Sequence, residues 1–114
     1  MENHICTYRS PGTWVVRAGG AVLAETRAAI ELHEGTRPPV IYFPRADVAM
    51  AMLEPSATRM TCRHKGEARY FSIVTKSTTL TDAAWSYETP KAGLEVIAGH
   101  VAFYPDRTTI ERLG

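Results

Sequence analysis

Apolar and polar residues alternate with a period of two over much of the chain, and prolines and glycines close the runs, the pattern of short strands divided by turns. "TWVVRAGGAVLAET" is two apolar runs around Gly19-Gly20, which predicts a two-residue hairpin whose turn needs positive φ at both central positions. "AAIELHEG" permits helix on propensity, but Ile30 and Leu32 alternate with Glu31 and His33, which favours a half-buried strand ending near Gly35. "PPVIYFPR" holds four consecutive apolar residues, a strand buried on both faces that Pro44 must end or place on an edge. "ADVAMAMLEPS" fits helix or strand, and either packs Met50 and Met52 inward. "EARYFSIV" is a strand with Phe71 and Ile73 on one face and Tyr70 and Val74 on the other, and "DAAWSYE" is another. "TPKAGLEVIAGH" predicts a helix over 90–98: Thr89 caps, Pro90 takes the first position, Leu94, Ile97, Ala98 and Val101 share a face, and Gly99 stops it. "VAFYPDRTTIERL" reads as strand, Pro-Asp turn and strand.

Seven or eight short strands and one short helix make a mainly β chain, arranged as two packed small sheets or an incomplete barrel. Residues 1–12 are expected to be a flexible N-terminus and 13–114 a single β-rich domain. At 114 residues, 45% of them apolar, the chain has enough hydrophobic surface to fold alone. A net charge of +1 with mixed signs gives no broad field for nucleic acid or an anionic membrane. "MENHICTYRSPG" is unlike a signal peptide and no run reaches the length of a membrane span, so the expected location is cytoplasmic. Cys6 and Cys62 can close one disulfide, but without a secretory signal reduced thiols are the expectation.

The ordered set "PPVIYFPR", Asp47-Val48, "LEPS", Cys62 with Lys65-Gly66, "AAWSYE" and "AGHVAFYP" resembles the bacterial family catalogued as domain of unknown function 427, from the first hairpin to Pro105. The resemblance implies a small β domain with the topology of methionine sulfoxide reductase B, and it brings the label nucleotidyltransferase. Arg63 and His100 stand where the family pattern has proline after the cysteine and tyrosine after "AG".

Two chemistries are candidates in "TCRHKGEARY". Cys62, beside His64 and Lys65, has neighbours of the kind that turn a thiol into a nucleophile; the alternative is a small hydrophobe at a strand end. Lys65-Gly66 offers charge and close backbone approach to an anion, with a solvated turn as the alternative. The cluster of Arg59, Arg63, His64 and Arg69, taken with the resemblance, points to a pocket for an acidic or phosphorylated small molecule. Arg45 and Asp47 lie just past a buried strand, either at the pocket mouth or in a turn salt bridge. Tyr70, Trp85 and Tyr87, with Tyr42, supply a stacking wall or simply core aromatics with polar tips.

"HIC" and "CRH" carry zinc-ligand types, but the paired Cys-x-x-Cys motifs of the reductase are absent and no metal is expected. No cofactor is specified. The nucleotidyltransferase label finds no closely spaced carboxylates for magnesium, since Glu31 and Glu34 face opposite ways on a strand. The leading reading is therefore a binder whose ligand Lys65 and Arg45 neutralise and Trp85 or Tyr87 contacts. The alternatives are an enzyme using Cys62 or Lys65, and an interaction module, homo-oligomeric or edge-pairing.

Overall fold

The computed structural model describes residues 4–114. β1 (Ile5–Arg9), β4 (Ile30–Glu34) and β5 (Val40–Tyr42) form one antiparallel sheet in the order β1-β4-β5. β2 (Trp14–Ala18), β3 (Ala21–Thr26) and β10 (Thr109–Arg112) form a second, in the order β10-β2-β3. β6 (Leu53–Cys62), β7 (Gly66–Val74), β8 (Thr79–Ser86) and β9 (Val101–Phe103) form the third, in chain order. No sheet closes into a barrel.

Strand alternation explains the layering. Phe71, Ala84, Val101 and Phe103 of the four-stranded sheet pack with Val16 and Leu23 of the second sheet. Their neighbours of opposite parity, Ala68 and Ala102, pack with Ile30, Leu32 and Tyr42 of the first. The four-stranded sheet thus has a core on each face, and β9, buried at all three positions, is apolar on both sides for that reason. Phe43 joins the first and third sheets, its N–H donating to Val101 O and its carbonyl accepting from Val101 N, both at 2.8 Å.

The mainly β class and the Gly19-Gly20 hairpin agree with the sequence pattern: the two glycines take φ of 56° and 77°. Three sheets stand where two had been expected. Of the stretch 1–12 expected to be a flexible terminus, Ile5–Arg9 form β1, paired along its length with β4, while residues 1–3 lie outside the described residues. Of "ADVAMAMLEPS", "LEPS" opens strand β6, while the residues before it, from Arg45, fold as two 3-10 turns, Arg45–Asp47 and Met50–Met52, with Met50 and Met52 half-buried against the core.

The helix over 90–98 is corrected to one 3-10 turn, Glu95–Ile97. Leu94 and Ile97 do point inward, as the spacing required, but Ala98 is exposed. Gly93 and Gly99, both at positive φ, bracket the segment, leaving five residues between them, too few for a stable α-helix. Among the described residues no helix is long and apolar enough to cross a membrane.

Candidate functional site

The β6–β7 hairpin turns at Arg63–Lys65 and pairs Cys62 with Gly66, Thr61 with Glu67 and Arg59 with Arg69. Two guanidinium side chains therefore start from directly opposed positions of an antiparallel pair, an arrangement that ordinarily destabilises a sheet. Arg45 approaches the same place from the turn after β5. Its guanidinium lies 5.6 Å from the Phe71 ring centroid, donates to Gly99 O at 2.9 Å and Ser86 Oγ at 3.1 Å, and pairs with Glu88. Pro44 ends the strand and turns the chain so that Arg45 can make this reach.

The three arginines, with Ser56, Tyr70, Phe71 and Glu88, line an open cleft of about 220 Å³. Three cations against one carboxylate leave the cleft with a net charge of +2 from these residues. Arg59 is held in place by donating to Ser56 O at 2.8 Å and Thr58 O at 2.9 Å across an irregularity in β6. The Arg69 side chain has no hydrogen bond or ion pair among the described residues, so its donors face solvent. Arg69 and Glu88 also border a second hollow of about 230 Å³ with Glu67 and Thr89.

Other residues singled out from sequence lie elsewhere. Lys65 is buried, and its Nζ donates to Glu34 Oε1 at 2.8 Å. Gly66, at φ 114°, admits a close approach, but the approaching group is the chain's own Thr89–Lys91 backbone: a Cβ here would sit 3.3 Å from Thr89 O, and Lys91 N donates to Lys65 O at 3.0 Å. Cys62 is half-buried against the core that holds Tyr42 and Tyr87, and it and Cys6 are free thiols. His64 is exposed at the hairpin tip. Asp47 does not pair with Arg45; it accepts from Thr26 Oγ1 at 2.7 Å.

The aromatics form a continuous group. Trp85 donates to Tyr42 OH at 3.4 Å and packs 4.6 Å from the Tyr104 ring, and the Tyr70 and Tyr104 hydroxyls are 3.0 Å apart. Burial, partly offset by the Trp85 hydrogen bond, pushes Tyr42 up to about 12, and burial likewise raises Tyr70 and Tyr87. Of these, Tyr70 alone reaches the arginine cleft; Trp85 faces a separate apolar cavity and Tyr87 is core.

On the outer face of β1–β4, Tyr8 OH, His33 Nε2 and Glu31 Oε1 lie within 2.9 Å of one another. Burial raises the Glu31 carboxyl, but hydrogen bonds from His33 and Tyr8 outweigh it and hold it below its ordinary range. Among the described residues no three His, Cys, Asp or Glu side chains are grouped so as to hold a metal ion.

No curated protein matches the chain. The family described as Domain of unknown function (DUF427) matches residues 7–114, a span that includes every strand but the first two residues of β1 and every residue of the arginine cleft. The chain belongs to that family.

Proposed function

We propose that this domain binds a small, multiply charged anion, a phosphorylated or polycarboxylate compound, in the cleft between Arg45, Arg59 and Arg69. One observation carries the reading: two arginines paired directly across β6–β7 and a third, Arg45, lining the same cleft open to solvent. Like charges in such register are unfavourable unless an anion bridges them. Guanidinium is suited to that task, since its planar fork meets phosphate or carboxylate with two parallel hydrogen bonds. A cleft of about 220 Å³ accommodates a phosphate, a pyrophosphate or a short-chain phosphoester, and the Tyr70 and Phe71 rings offer apolar floor for the remainder. The phosphate end of a nucleotide belongs to this class.

Lys65 is absent from this reading because its charge is engaged by Glu34. Cys62 and His64 do not line the cleft, so no nucleophile is assigned.

Calorimetric titration with inorganic pyrophosphate tests the proposal. Arg69→Gln should weaken binding about tenfold, the loss of one charge-assisted interaction of about 1.5 kcal/mol. The same substitution should leave the empty protein as stable as before or slightly more so, because it relieves the Arg59–Arg69 opposition, worth up to about 1 kcal/mol. Wild-type protein that takes up no pyrophosphate at roughly millimolar concentration in low salt, or an Arg59→Gln/Arg69→Gln variant that binds as wild type, would sink it.

A further inference from the structure

Away from the arginines, a cavity of about 490 Å³ opens where all three sheets meet. Its walls are Trp14 from β2, Ile41 from β5, Trp85 from β8, Phe103 from β9 and Ile110 from β10, and Arg37 stands at its edge just before Pro38-Pro39. The polar tips of the wall aromatics are taken internally: Trp14 Nε1 donates to Ser10 Oγ at 3.0 Å, Trp85 Nε1 to Tyr42 OH at 3.4 Å, and Tyr104 OH meets Tyr70 OH at 3.0 Å. What the rings present to the cavity is therefore apolar face.

Among the described residues Arg37 is the one charged member of the lining. Its side chain is 68% exposed and approaches Glu34 Oε1 only to 3.8 Å, while Lys65 holds that oxygen at 2.8 Å. The guanidinium can thus turn to an anion at the mouth without breaking a close contact.

The geometry points to a second binding site, for a monoanion with a flat or branched apolar body, an arylalkanoate or medium-chain carboxylate whose carboxylate meets Arg37. The volume falls in the range of small-molecule pockets, roughly 300–1,000 Å³. Apolar walls with one convergent charge are the composition that orients such a ligand. Among the described residues this site shares no lining residue with the arginine cleft, so the two readings stand or fall separately.

The test uses the chain's own optical probes, because its two tryptophans, Trp14 and Trp85, both line the cavity. The probes are phenylbutyrate and its neutral amide, whose phenyl group absorbs to the blue of indole. Phenylbutyrate should change tryptophan emission saturably with a dissociation constant of roughly millimolar or below, and the amide should bind about three- to tenfold more weakly. Arg37→Gln should erase that preference by weakening the carboxylate alone, with the melting curve unchanged, whereas Arg69→Gln should leave both titrations as they are. Emission that neither probe alters would overturn the assignment, as would a carboxylate preference that survives Arg37→Gln. An emission change that tracks protein concentration without any probe would give the cavity to a second copy of the chain and overturn it as well.

Discussion

Replacing Lys65 by methionine separates a structural cation from a ligand-binding one. Its Nζ is 2.8 Å from Glu34 Oε1, and the two side chains are 11% and 5% exposed. Removing one partner of a buried pair takes away the counter-charge nearest, among the described residues, to a carboxylate that water barely reaches, which typically costs about 3–5 kcal/mol. Arg37 remains near the same oxygen at 3.8 Å and can offset part of this, so we expect about 3 kcal/mol. A 114-residue domain has about 6–17 kcal/mol of stability, so Lys65→Met should still fold. With a urea slope of about 1.5 kcal/mol per molar, the midpoint should fall by about 2 M.

Glu34→Gln made in the Lys65→Met background should recover about half of the loss, because a neutral amide is less costly to bury than a carboxylate deprived of its ammonium. Pyrophosphate titration of folded Lys65→Met should match wild type. A midpoint shift below about 0.3 M would show that the ion pair contributes nothing of structural weight. A tenfold loss of pyrophosphate affinity in the folded variant would return Lys65 to the ligand site.

Two further outcomes follow from the backbone and the buried hydroxyls. Gly66→Ala places a Cβ at φ 114° and 3.3 Å from Thr89 O, and should destabilise the domain by about 2 kcal/mol in the same urea assay; a neutral result would mean that the 89–91 backbone yields freely. Tyr42, pushed up to about 12 by burial, contributes stability fully present below the ordinary phenol value of about 10 and lost as pH rises through its folded value. Tyr70 and Tyr87 shift in the same direction, so phenolate absorbance should rise late and together with loss of the fold above about pH 11, and a set of tyrosines all ionising near 10 with the fold intact would contradict it.

The strands that were legible in the sequence are those with one face or both faces in a core. β2, β3, β4, β5 and β7 carry that pattern in their apolar residues. β6 does not, because it is the edge of its sheet and most of its side chains meet solvent; "LEPSATRMTC" tolerates Pro55 for the same reason. The helix over 90–98 failed because spacing reports which residues point inward, and Leu94 and Ile97 do, while the two flanking glycines limit how much regular backbone can form. The burial of Lys65 against Glu34 had a signal in the sequence. The alternation that puts Ile30 and Leu32 inward also puts Glu34 inward, and a carboxylate on a core face requires a cation from another part of the chain.

The arginine cleft follows from the same hairpin that buries Lys65 against Glu34. A turn centred on His64 pairs residues whose numbers sum to 128, so Arg59 must face Arg69 just as Cys62 faces Gly66. In the turn, Lys65 closes the hairpin against Glu34, and at the start of β7 Gly66 admits the 89–91 backbone. Glu88, immediately before that backbone, then reaches Arg45. The buried ion pair and the exposed Arg69 are thus parts of one arrangement, in which the lysine fixes the hairpin against the first sheet while Arg69 beyond it keeps its donors toward solvent. On the proposed reading, neutralising Lys65 should lower stability and spare pyrophosphate binding, and neutralising Arg69 should do the reverse.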